Sequence, residues 1–319
     1  MTISRSLALR LAIAAVMVVL CVVYVRGLDW DAIWRSTAGA SVPLLLVGVA
    51  GNIPLIWLKA LRMRILVRGR VGTLRLMGFY VASYAADNLV MSQAGLGLRV
   101  ALLRREGLPL ATAVTAQALE KVLEGVGLAL VAAPLVFASD LDPRLQRPLD
   151  GCLIIGAAGL VALIAVVALT RDRPGFVQKL ADTTAALRDP VLALRVGLLT
   201  VVAWLIEVVM VALTMAALGL PVGSIDGPIV VLLAVNLAAL VPGLPANVGA
   251  FEMAATVALG SFGVASEPAL GFALVYHALH TIPVTLVGLA GLHRATRARR
   301  ADALPGQNAQ LAKARPPGN

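Results

Sequence analysis

Long apolar runs separated by short basic stretches set the pattern of this chain. The runs are Leu11–Val25, Leu44–Leu58, Val126–Ala138, Leu153–Thr170, Val196–Leu220, Ile229–Val241 and Leu270–Leu292. The longest reach the ~20 residues that a helix needs to cross ~30 Å of hydrocarbon. Backbone polar groups in lipid must be satisfied within the segment, so runs rich in Ala, Leu, Val and Gly predict helices and not barrel strands. Two segments are apolar but interrupted. Residues 76–97 carry Asp87, Asn88, Ser92, Gln93, Gly95 and Gly97, and residues 228–262 are cut by Pro242-Gly243-Leu244-Pro245, then by Asn247 and Gly249. Proline removes a donor, and such interruptions mark broken helices. The expected fold is an all-α, polytopic transmembrane helical bundle of six to eight spans.

Composition agrees. The chain is 60% hydrophobic and 14% charged, against roughly 45–50% and 25% in soluble domains. A mean hydropathy of +0.90 leaves too few polar residues to cover a soluble surface, which excludes a soluble enzyme domain. Arg5 and Arg10 before an apolar run resemble a signal peptide, with Ala38–Ala40 as its cleavage site. That site lies far beyond the run, past Asp29, Trp30, Asp31 and Trp34, so Leu7–Val25 is read as an uncleaved first span. Cys21 and Cys152 sit inside apolar runs and form no disulfide or metal framework. The pI near 10.6 points to basic inner loops and not to nucleic acid.

Charge also discriminates between topologies. If eight segments all span, one side receives 16 Lys and Arg and the other 10; if segments 76–97 and 228–262 each return to the side they entered, the division is 22 against 4. The positive-inside rule selects the second arrangement, with both termini cytoplasmic in the cell inner membrane. Residues 1–138 and 151–292 then share one order of span, span, broken segment, span in opposite senses, the pattern of an inverted repeat. Residues 293–319 are basic and lack hydrophobic period, and are expected to be a disordered cytoplasmic tail.

Ionisable residues inside apolar segments are functional candidates by default. Gln117, Glu120, Lys121 and Glu124 share one helix face. They are either an ion-pair staple or part of a polar path, and their excess negative charge asks for an arginine from elsewhere. Asp87, Asn88 and Gln93 suit a water-lined turn. In the run from Pro242 and Gly243 to Glu252, Asn247 is the expected helix cap, and Gly249 begins the amides of an anion site. Glu207 stands alone among apolar residues, implying either a partner or a proton role. Tyr276, His277 and His280 read as hydrogen-bonded interior groups, since metal ligation uses three or four ligands and no acidic third ligand is evident nearby in sequence. No metal site or cofactor is expected, and no nucleotide loop, zinc-protease motif or serine elbow occurs.

The order of motifs carries a resemblance. Leu61-Arg62 through Arg68 is followed by Asp87-Asn88, Gly95-x-x-x-Arg99, Leu102 to Arg105 and Leu119-Glu120-Lys121-Val122-Leu123. Downstream stand Val241-Pro242-Gly243, Val248-Gly249-Ala250-Phe251-Glu252, Tyr276-His277 and Pro283 to Gly288. Over roughly residues 7–292 the chain resembles the transmembrane region of lysylphosphatidylglycerol synthases, a flippase-like family with many stand-alone members. It departs from that pattern at Ser92-Gln93 and Gly95-Leu96, where the family has Pro-Gly and then Gly-Glu, and at Tyr276-His277, where it has Tyr-Arg. Pro-Gly-Gly-x-Gly is loosened to the Pro242–Gly249 run. Lysyl transfer in fused members belongs to a soluble C-terminal domain, and only 27 residues follow the last span here, so the resemblance does not imply that activity.

What the resemblance implies is handling of an amphiphilic lipid: a phospholipid, a glycolipid or a polyprenyl-phosphate-linked sugar. Arg62 or Arg99 would hold phosphate, with Glu252 and the Glu120/Glu124 face holding amines or protons. The expected partners are membrane lipids and a separately encoded lipid-modifying transferase, without nucleic acid. A membrane subunit or enzyme of lipid modification and an ion-coupled small-solute transporter are the alternatives.

Overall fold

A computed structural model describes residues 26, 29–91, 93–138, 143–169, 185–222, 225–240 and 245–313. The described residues form α-helices joined by turns and short 3-10 pieces: α1 (Trp30–Ala38), α2 (Val42–Ala50), α3 (Asn52–Leu66), α4 (Thr73–Leu89), α5 (Ala94–Arg105), α6 (Leu110–Ala138), α7 (Pro143–Leu169), α8 (Pro190–Ala217), α9 (Asp226–Ala238), α10 (Ala250–Gly260) and α11 (Ser266–Lys313). The expected first span, Leu7–Val25, lies outside the described residues, as do Pro242 and Gly243.

Local chemistry sets several boundaries. Asp29 caps α1 by accepting from the Ala32 amide at 3.0 Å, and Asp189 caps α8 ahead of Pro190, which needs no donor at the first turn. Gly51, itself in helical geometry, joins α2 to α3, and these count as one apolar stretch. Val42–Leu66, Leu149–Ala168, Pro190–Ala217 and Ser266–Gly291 are long and apolar enough to cross a membrane. The 29 residues of α6 include Glu120, Lys121 and Glu124.

Among the shorter helices, four come in two packed pairs, α4 with α5 and α9 with α10. At 1.5 Å per residue, the 17, 12, 13 and 11 residues of these helices give lengths of about 26, 18, 20 and 17 Å, all short of a ~30 Å hydrocarbon layer. The chain folds back after α4: the Gly95 amide donates to Asp87 Oδ1 at 2.8 Å. A Cβ on Gly95 would run into the Ser83 carbonyl, so only glycine permits this approach.

Two large apolar cores result, beside a small one of Leu55, Leu58 and Ala203. One of the two joins Ile56, Met63, Leu76, Tyr80, Leu103 and Leu119; the other joins Leu128, Ala132 and Leu135 of α6 to Val211, Leu232, Leu259 and Phe272. Both α6 and α8 contribute to each large core and so tie the bundle together. Outward faces stay apolar: Ile154, Val161 and Ile164 on α7, Leu194, Leu205 and Val209 on α8, and Leu286 and Val287 on α11 are exposed. Continuous exposed apolar surface on several helices suits lipid and not water.

Two expectations change. Helix α11 runs on to Lys313, so residues 293–313 are helical where a lack of hydrophobic period predicted disorder; Ala and Arg, frequent there, are strong helix formers even without a buried face. Lys59, Arg62 and Arg99 are held inside helices α3 and α5, not in connections. Their removal takes three cations from the larger side of the charge count and leaves its direction unchanged.

Candidate functional site

Glu120 on α6 is the centre of a buried ionic network, and residues of three other helices meet at its carboxylate. Its Oε1 accepts from Arg62 Nη2 of α3 at 3.1 Å and from the Tyr80 hydroxyl of α4. Its Oε2 accepts from Arg99 Nη1 of α5 at 3.1 Å. The Arg99 guanidinium lies over the Tyr80 ring, 4.5 Å from its centroid, adding a cation–π contact. Arg62 also donates to Glu124 Oε1 at 3.0 Å and, from Nη1, to Thr200 Oγ1 of α8 at 3.2 Å. The excess negative charge read on α6 is thus balanced by arginines from distant sequence. A carboxylate this buried is tolerable only with such partners.

The network continues through Glu124. Lys59 Nζ lies 3.7 Å from both Glu124 Oε1 and Glu207 Oε1, and donates to the Tyr84 hydroxyl at 3.3 Å. Lys121 Nζ donates to Glu124 Oε2 at 3.3 Å, with its side chain 61% exposed. Trp204 Nε1 donates to the Glu124 carbonyl at 3.0 Å, fixing α8 against α6. Glu207 has partners, Lys59 and, at 3.7 Å, His280 Nε2. Gln117 is buried on the same face of α6, and neither polar atom of its amide has a hydrogen-bond partner among the described residues.

A second centre lies at the start of α10. Gly249, with φ +88°, is the N-cap, so the cap falls two residues beyond the expected Asn247. Glycine alone adopts such a φ freely, which is why the helix begins there. Glu252 Oε2 accepts from the Gly249 amide at 2.6 Å, the half of a capping box that a glycine N-cap allows. Glu252 Oε1 stands 2.6 Å from His277 Nδ1. Phe251 stacks on the His277 ring at 4.3 Å, and Tyr276 meets His280 edge-on at 4.7 Å. The acidic neighbours that sequence spacing did not show for these histidines are therefore Glu252 and Glu207, brought in by tertiary packing.

Beside the ionic network opens a cavity of about 700 Å³. Asp87, Asn88, Gln93, Arg99, Lys121 and Glu124 line it on one side, and Asn236, Ala246 and Asn247 on another. Both helix breaks therefore reach one space. Gln93, Ala246 and Asn247 all have positive φ, at 71°, 56° and 57°, and the 245–247 turn packs on α4. Leu96, Val126, Ile155 and Leu240 give the cavity an apolar wall. Asn88 Nδ2 is held by Thr285 Oγ1 at 2.8 Å, anchoring the end of α4 to α11.

The predicted residues thus fall into three places. Asp87, Asn88, Arg99, Lys121, Glu124 and Asn247 line the cavity. Arg62 and Glu120 are buried behind it and committed to one another. Glu252 and His277 form the separate pair, with Gly249 beside them and Tyr276 packed next to His280, where Glu207 also lies. The sequence reading did not assign Lys59, Tyr80, Tyr84, Thr200, Trp204 or Asn236 to the site. Lys59 and Arg62 lie one turn apart on an apolar helix, as Tyr80 and Tyr84 do, which is the one local signal they carried.

Residues 7–288 match the family described as the lysylphosphatidylglycerol synthase TM region. No curated protein matches this chain. Because that match spans most of the 319 residues, this membrane protein belongs to the lysylphosphatidylglycerol synthase TM-region family.

Proposed function

We propose that this chain is a flippase-like lipid translocator that passes the headgroup of an amphiphilic lipid through the polar cavity while the acyl chains remain in the bilayer. The meeting of two helix breaks in one cavity carries this reading. Non-helical backbone at membrane depth is tolerated only where protein or water covers it, and substrate sites of transporters are built from discontinuous helices of this kind. At about 700 Å³ the cavity falls within the size range of small-molecule sites.

The lining suits a headgroup carrying phosphate and a polar or amine substituent. Arg99 Nε has no hydrogen-bond partner among the described residues, and the Lys121 ammonium stands at the exposed edge, so these groups are the phosphate donors. Asp87, Asn88, Asn236 and Asn247 supply acceptors and amides for the rest. Arg62 keeps Glu120 and Glu124 in place rather than touching substrate.

The short paired helices support re-entry on one side for both α4–α5 and α9–α10, and with it two inverted halves, residues 1–138 and 151–292. The charge distribution supports cytoplasmic termini in the inner membrane. The test is reconstitution into liposomes with labelled phospholipids, glycolipids and polyprenyl phosphates, scored for exchange between leaflets. Exchange of at least one class, slowed in Lys121→Gln, is the expected result. Folded protein that exchanges none of them overturns the reading.

A further inference from the structure

A second cavity, of about 890 Å³, lies on the outer side of the bundle between the end of α3 and the start of α8. It is apart from the transport cavity and shares no lining residue with it. Arg64, Arg68 and Arg195 stand around it, with Asp189 the one carboxylate among its described lining residues. That carboxylate is occupied: Asp189 Oδ1 accepts from the Val191 and Leu192 amides at 2.8 and 3.4 Å to cap α8. Arg64 Nη1 donates to the neutral Thr73 hydroxyl at 3.3 Å. The ion pairs among the described residues engage Lys59, Arg62, Arg75, Arg99, Lys121, His277 and His280, and none of these three arginines. Among the described residues, three guanidiniums and one carboxylate, a net charge of about +2, thus converge where two membrane-length stretches, Val42–Leu66 and Pro190–Ala217, have their ends.

The rest of the groove is apolar, with Leu61, Ile65, Leu198 and Leu199 on its floor and walls. It continues as a stripe along α8, where Leu198, Val202, Leu205 and Val209 are exposed. Their spacing of three to four residues keeps them on one helix face. Neighbouring Ile53 and Trp57 on α3 are exposed as well. A soluble phosphate would be matched by the arginines and wasted on this stripe. An acyl chain without a charged head would leave the arginines unmatched.

We propose that this groove holds an anionic phospholipid, its phosphate on Arg64, Arg68 and Arg195 and an acyl chain along Leu198, Val202, Leu205 and Val209. Basic pockets between helix ends at a membrane face recognise anionic headgroups, and the field of an anionic leaflet adds to the attraction. The lipid would be a resident one, bracing α3 against α8 from outside, and its site does not depend on the transport reading.

The test uses purified full chain in nanodiscs of phosphatidylcholine, alone or with a fifth of the lipid replaced by phosphatidylglycerol. Retained phosphatidylglycerol is counted by mass spectrometry after exchange into pure phosphatidylcholine, and the melting temperature is recorded in both compositions. Wild type retains phosphatidylglycerol and melts higher in its presence. Arg195→Gln is expected to lower retention about fivefold, as loss of one near-surface cation predicts, with its melting point in pure phosphatidylcholine unchanged. Leu198→Glu, which leaves the arginines in place, lowers retention as well. Arg104→Gln/Arg105→Gln, altering exposed cations elsewhere, behaves as wild type. Equal loss in the Arg104/Arg105 variant, full retention in Arg195→Gln, or a melting shift reproduced by soluble glycerol phosphate would each overturn the proposal.

Discussion

Gln93 and Asn247, on opposite broken segments, line the same cavity with left-handed backbones, φ +71° and +57°. Neither is glycine; Gln93 caps α5, which starts at Ala94, and Asn247 stands two residues before Gly249, the cap of α10. An L-residue held in this region costs about 1–2 kcal/mol, less for Asn. Strain of this size at two facing turns is the backbone's contribution to a space that regular helices would have filled.

The first prediction follows from that strain. Asn247→Gly should fold as well as wild type or slightly better, because glycine reaches φ > 0 freely. Asn247→Val should lose about 1–2 kcal/mol, since a β-branched side chain resists the same conformation. Thermal melting of the two variants in detergent checks the order, and equal melting would show that the turn readily relaxes.

Gly95 and Gly97 give a matched pair on one helix. A Cβ at Gly95 meets the Ser83 backbone and the Asp87 carboxylate, whereas one at Gly97 has nothing within 4 Å. Gly95→Ala should therefore destabilise by about 1–3 kcal/mol through overpacking, and Gly97→Ala should be neutral or stabilising. Cysteine accessibility at Asp87 should rise in the first variant alone.

Removing Arg62 would strand Glu120 and part of Glu124's pairing inside the bundle. Arg62→Met should destabilise by about 3–5 kcal/mol, as breaking a buried pair does. Tyr80→Phe removes one hydrogen bond to the same carboxylate, and about 1.5–3 kcal/mol is expected. Lys121→Gln, at an exposed side chain, should stay within about 0.5 kcal/mol of wild type yet slow lipid exchange. Expression and melting separate these three, and a melting loss in Lys121→Gln equal to that of Arg62→Met would remove the distinction between scaffold and path.

Topology has its own check. Cysteines at Gly72, where no side chain stands in the way, at Arg104 and at Arg299 should all label from the cytoplasm with a membrane-impermeant reagent. Labelling of position 104 from outside would mean that α4 and α5 together cross the bilayer.

Glu252 was legible in sequence as a site residue, but its role is set by contacts. Glu252→Ala should lose a cap worth about 1 kcal/mol and a buried hydrogen bond to His277 worth about 1–3 kcal/mol. His277→Gln should lose the second contribution only. Melting of both variants measures the difference, and a larger loss in His277→Gln would contradict this division.

By itself the sequence determined the membrane class, the apolar helical segments and the positions of the two breaks. Hydrophobic run length, proline and glycine act locally, through backbone hydrogen bonds that no other solvent-free arrangement satisfies. Glu120 and Glu124 were legible as candidates because charge in an apolar run is expensive wherever the chain folds, and Arg62 only through the family resemblance. Only tertiary structure decided which charges neutralise each other: Arg62, Tyr80 and Arg99 meet Glu120 from three other helices. It also decided that Asn236 and Gln93 share a cavity, that Lys59 is interior and that Glu252 finds His277. Sequence carries the cost of burying each charge, whereas the partner that offsets it depends on which helix faces lie side by side, and that is a property of the packed bundle.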